Sequence, residues 1–94
     1  MTTKNVYIET MKSQLDDLNT SMNKLDAKAQ EAKADARDVY LEEMRKLRHQ
    51  SKLAGAKFDE LKAASEVGWD KMVLEMDKVR DAFAHSFNYF KSQV

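Results

Sequence analysis

From Ile8 onward, apolar side chains return every three or four residues almost to the end of the chain, and no proline interrupts them. That spacing places one side chain per turn on a single face of an α-helix, whereas a strand would need simple alternation. The ladder begins Ile8, Met11, Leu15, Leu18, Met22, Leu25, Ala29, Ala32 and Ala36 in unbroken 3-4 order, the pattern of a coiled-coil seam. Tyr40, Met44 and Leu47 follow with an extra four-residue step, a stutter that locally unwinds a left-handed supercoil. The line continues through Ser51, Ala54, Phe58, Leu61, Ser65, Gly68, Met72, Met76, Val79, Phe83, Phe87 and Phe90. The expected fold is therefore all-α and a single domain over residues 1–94. It comprises a long coiled-coil helix over about 3–63, a bend or hairpin turn near 65–68, and an amphipathic helix over about 66–91.

The quality of the seam varies. Its first third is large and aliphatic. The segment "DAKAQEAKADAR" (26–37) fills it with alanine, which allows close approach but buries little area. Ser51, Ala54, Ser65 and Gly68 are poor knobs, and the richest stretch is last: Trp69, Met72, Val73, Met76, Val79, Phe83, Phe87 and Phe90 share one helical face. Gly55 sits among strong helix formers and reads as a tolerated glycine, at a cost of about 1 kcal/mol. Ser65 can cap a new helix with Glu66 in its first turn, yet the ladder runs through Ser65 and Gly68 in phase, as in an unbroken helix. Thr2 and Thr3 are placed to cap the first turn. Glu42–Lys46, Lys28–Glu31, Asp59–Lys62, Glu75–Lys78 and Asp77–Arg80 are spaced to support helix with about 0.2–0.5 kcal/mol each.

Unbroken, such a rod is about 135 Å long at 1.5 Å per residue. A single helix has no interior, and a two-helix hairpin of this size is marginal alone. Both alternatives lead to self-association, with Ile8 to Leu61 as the homo-oligomer seam and the face from Trp69 to Phe90 free for a partner.

Sixteen basic and sixteen acidic residues balance, which disfavours nucleic acid as a partner. The absence of cysteine excludes disulfides and thiolate metal sites. No apolar run approaches the roughly 20 residues of a membrane span. The N-terminal segment lacks the apolar core of a signal peptide, so a cytoplasmic location is expected. His49 and His85 lie off the apolar stripe, and the positions three before them are Lys46 and Ala82 rather than the glutamates of a di-iron bundle. His85 with Asp81 is at best a weak metal pair, and both histidines read as solvated. No phosphate loop and no nucleophile–histidine pattern is present, so no enzyme activity, cofactor or metal is expected.

One charge block stands out. Arg45, Lys46, Arg48 and Lys52, with His49 among them, follow Asp38, Glu42 and Glu43. A solvated helix face is the leading explanation. Setting the register between chains comes second, and an anion-binding patch third. The C-terminal stripe is amphipathic enough to lie on a membrane, but residues 66–94 carry Lys71, Lys78, Arg80 and Lys91 against Glu66, Asp70, Glu75, Asp77 and Asp81. Interfacial helices usually carry a basic excess, so a peripheral membrane contact is less favoured than helix packing or a protein partner.

The segments "LDAKAQEAKADARDVY" (25–40) and "FDELKAAS" (58–65), with Trp69 followed by Asp70, resemble a family of small bacterial coiled-coil proteins. These carry the labels stress response or coiled-coil domain-containing. The resemblance runs over residues 10–90, with two departures: the glycine stands directly before Trp69, and Arg80 occupies a position where a second tryptophan is common. It implies an all-helical protein with no catalytic residues. The expected function is structural or adaptor-like, through helix–helix self-association, and linked to stress. The alternatives are a lipid- or granule-surface protein, or an accessory subunit docking its aromatic face on a larger complex.

Overall fold

The structure, a computed structural model, describes residues 2–93, with side chains from Lys4 onward. The expected capping by Thr2 and Thr3 therefore falls on side chains outside those described. The described residues form three helices: α1 (Thr2–Gln30), α2 (Ala34–Ala63) and α3 (Trp69–Gln93). They form an up-down-up bundle of 51 × 18 × 17 Å. The all-α class is as the periodicity requires.

The architecture corrects the sequence-based expectation at one place. The helix expected over 3–63 is two helices, because the chain reverses at Glu31–Lys33. The last turn of α1 closes with Glu31 N–H to Lys28 O (3.1 Å) and Ala32 N–H to Ala29 O (3.2 Å). Lys33 is extended (φ −63°, ψ 155°), and its carbonyl receives the first amides of α2. Local propensity does not cause this turn, since Gln30, Glu31, Ala32, Lys33 and Ala34 all favour helix. Burial does. Folding back encloses Met11, Leu15, Met22 and Leu25 of α1 with Met44, Leu47, Phe58 and Leu61 of α2. At about 1.5 kcal/mol or more for each large side chain, the gain outweighs the few backbone bonds lost, worth about 1 kcal/mol each. A rod could bury the same stripe only against another chain, at the further cost of association entropy. The break falls in the alanine stretch because least is lost there. Ala29 is buried beneath the turn, and Ala32 and Ala36 are half-buried beside it.

The position of this turn is testable with one proline. Ala34 is the first residue of α2, its amide has no backbone partner at the turn, and Lys33 before it is already extended. Proline fits such a site. Ala34→Pro is therefore expected to leave stability unchanged or raise it by about 0.4–1 kcal/mol. In a continuous helix it would cost about 3 kcal/mol. Urea denaturation followed by circular dichroism distinguishes the two.

The second reversal lies at residues 64–68, where the bend or hairpin turn was expected, and it is a turn. Gly68 adopts φ +87°, a left-handed conformation that costs a non-glycine residue about 1–2 kcal/mol. Its carbonyl accepts the Met72 amide at 3.0 Å, which starts α3 at Trp69. Ser65 does not cap the helix. Its hydroxyl donates to Val67 O at 3.2 Å inside the turn. Gly55 lies within α2.

Each helix pair is keyed by polar contacts at its margin. Between α1 and α2, the Ser51 hydroxyl donates to Asn19 Oδ1 (2.5 Å) and Arg48 pairs with Asp26. Between α2 and α3, Lys57 meets Glu75 at 2.9 Å, and Tyr40 donates to Gln93 O at 3.0 Å while its ring packs on Phe90. Between α1 and α3, Tyr7 donates to Asp77 Oδ1 (2.6 Å) and Arg80 donates to Gln14 Oε1 (2.5 Å). Of the expected same-helix ion pairs, Asp59–Lys62 forms at 3.5 Å. Glu42 instead takes Arg45, and Glu75 takes Lys57.

Candidate functional site

The residues expected to form an intermolecular seam line the interior of one chain. Met11, Leu15, Met22, Leu25, Ala29, Met44, Leu47, Phe58 and Leu61 are buried, and Ile8, Leu18 and Tyr40 pack against them half-buried. The face of α3 offered to a partner is turned inward as well. Met76, Phe83, Phe87 and Phe90 are buried, and Trp69, Met72, Val73 and Val79 pack on the same core. In this chain α1 and α2 cover that face. The exposed large apolar side chains of α3 are Leu74 and Tyr89. No helix among the described residues is long and apolar enough to cross a membrane.

Trp69 meets α1 of its own chain. Its ring stands edge-on to Tyr7 at 5.8 Å between centroids and 84° between planes. The Lys4 ammonium lies 4.9 Å from its ring centre and donates to Ala64 O, at the end of α2, at 2.8 Å. One cation thus serves an aromatic face and the carbonyl-rich end of a helix. This corner joins the N-terminus to both sides of the second turn. Sequence periodicity misses Tyr7 because it stands one residue before the ladder.

Partial burial, then the hydrogen bond to Asp77, holds the Tyr7 phenol well above its ordinary value of 10.0. A raised value in the fold means a contribution that is complete below pH 10 and lost as pH rises, because the unfolded chain ionises first. Denaturation at pH 9 and pH 11 is expected to show a drop in stability that is smaller in Tyr7→Phe. Lys57 behaves in the same sense, raised by its hydrogen bonds to Glu75 and Glu60. Glu75 is lowered by Lys57, so its contribution is present above its ordinary value of 4.5 and fades as pH falls.

The basic block at 45–52 is largely neutralised. Arg45 pairs with Glu42, Lys46 with Glu43, and Arg48 with Asp26 on α1. Only Lys52 has no ion-pair partner among the described residues. Arg48 thus keys helices within the chain. Beside the block, His49 of α2 and His85 of α3 line one open groove of about 780 Å³ with Gln50, Ser86 and Tyr89. Among the described residues, no three His, Cys, Asp or Glu side chains are gathered to hold a metal.

The unneutralised basic surface lies elsewhere. Lys24 and Lys28 of α1 and Lys91 of α3 rim a groove of about 460 Å³ with Ser21 at its edge and Leu25 and Phe87 as its floor. No acidic residue lines it, and none of the three lysines is in an ion pair among the described residues. Lys28 and Lys91 stand in the last turns of their helices, where a cation offsets the helix dipole. Lys24 has no such role. One sequence signal pointed here: Lys24 and Lys28 form a like-charged i, i+4 pair, a spacing that destabilises a helix by a few tenths of a kcal/mol.

No family model matches the chain, and neither does any curated protein or solved structure.

Proposed function

We propose that the protein is a non-enzymatic structural or adaptor protein that associates with itself through the outside of its helical bundle. The observation that carries this reading is the separation of inside from outside. The interior of the described residues is wholly apolar, with no buried polar or charged side chain, so recognition falls to the surface. That surface carries an unneutralised lysine patch on a chain of zero formal charge. A role in stress, implied by the resemblance of residues 10–90 to bacterial coiled-coil proteins, belongs to the same reading.

Light scattering on the eluting chain tests it. A mass that rises above 10.9 kDa as concentration increases is expected. A constant monomer mass up to several hundred micromolar contradicts self-association.

A further inference from the structure

We propose that two copies of this chain meet antiparallel across the α1–α3 face, about a two-fold axis near Ser21 and Phe87. Lys24, Lys28 and Lys91 of each copy then stand opposite Asp17 and Asp81 of the other. The inference rests on the self-association reading above and names its surface and symmetry.

The argument begins with the direction of the helices. α1 and α3 run parallel, as shown by Tyr7 meeting Val73 and Asp77, Gln14 meeting Arg80, and Leu25 sharing a groove with Phe87. On both helices the charge along this face changes sign in the same direction. On α1, exposed Asp17 lies one turn beyond Gln14, and exposed Lys24 and Lys28 follow. On α3, exposed Asp81 adjoins Arg80, and exposed Lys91 follows. Asp81 pairs with Arg80 through Oδ1, so its charge is partly compensated and the acidic end of the patch rests chiefly on Asp17. The second Asp81 oxygen has no bond among the described residues. Asp77, lower on the same side, accepts the Tyr7 hydroxyl.

A two-fold axis along the helices would set lysine against lysine. An axis across them sets lysine against carboxylate on both helices at once, and a closed dimer requires such a self-complementary patch. The centres of the two charge ladders coincide. The midpoint of Asp17 and the Lys24–Lys28 pair falls near residue 21, and the midpoint of Asp81 and Lys91 near residue 86. Ser21 and Phe87 line the same groove. A small side chain at the axis permits close approach.

The shared length is about 17 residues, or roughly 25 Å. Across a bundle 18 Å wide the footprint is about 450 Å² per copy, at the low end for specific interfaces. A weak, salt-sensitive dimer follows, because exposed ion pairs are screened over about 8–10 Å at ordinary ionic strength.

Sedimentation equilibrium on the full chain tests the proposal, with circular dichroism to confirm that each variant is folded. The wild-type dimer is expected to weaken at least tenfold between 50 and 500 mM NaCl. K24E/K28E/K91E and D17K/D81K should each sediment as monomers, and an equimolar mixture of the two should restore a dimer. If both variants dimerise like wild type, the face is wrong and self-association through another surface stands. If the mixture stays monomeric, the lysines serve another occupant and the proposal fails. A wild-type monomer at every concentration and salt overturns both readings.

Discussion

Phe83→Ala is expected to destabilise the protein by about 3–5 kcal/mol, the usual cost of removing a buried aromatic side chain. Phe83 is completely inaccessible at the middle of α3, so nothing at the surface can relax into the space. For a chain of this length each kcal/mol moves the melting temperature by about 4–8 °C, and a fall of about 12–40 °C follows. The outcome decides which way the aromatic stripe faces. An outward stripe, held ready for a partner, would make the same substitution nearly neutral or mildly stabilising. Thermal unfolding by circular dichroism in high salt, where any dimer is suppressed, reads the difference.

Trp69→Ala is expected to cost about 3 kcal/mol, somewhat less than full burial would imply because Trp69 is only half-buried. Three contacts are lost together: its packing against the core, the edge-on contact with Tyr7, and the Lys4 ammonium over its ring. These contributions separate in a double-mutant cycle. Lys4→Met alone should cost about 1 kcal/mol for a partly exposed cation–π pair and its bond to Ala64 O. In the Trp69→Ala background it should cost measurably less, since the ring it sits over has gone. Strict additivity of the two changes would contradict the corner described here. If Trp69 projected instead toward another molecule, neither substitution would alter the stability of the monomer.

Helix content and the identity of the interior were legible from spacing. Met11, Leu15, Met22, Leu25, Met44, Leu47, Phe58, Leu61, Met76, Phe83, Phe87 and Phe90 all lie on the ladder and are all buried. Periodicity reports which face is apolar, and it is indifferent to what covers that face. The turn at Glu31–Lys33 was illegible for that reason. Its residues favour helix, alanines hold the phase across it, and the reversal is driven by side chains far along α1 and α2. The turn at 64–68 was legible as a weak point through Ser65 and Gly68, although its chemistry differs. Gly68 supplies the left-handed residue, and Ser65 bonds within the loop.

The surface was less legible still. Arg45, Lys46 and Arg48 stand out in the sequence because they fall within four residues, yet their acids lie one turn away or on α1. Lys91 is remote in sequence from Lys24 and Lys28, and only the parallel run of α1 and α3 brings the three to one groove.

The central claim is that one chain folds back twice and covers its own apolar seam. Small-angle X-ray scattering tests it most directly, at low protein concentration and 500 mM salt to hold the chain monomeric. The bundle has a Cα radius of gyration of 15.3 Å, and a solution value close to that is predicted. An unbroken rod of about 135 Å would give about 39 Å, and a value approaching it would contradict the account.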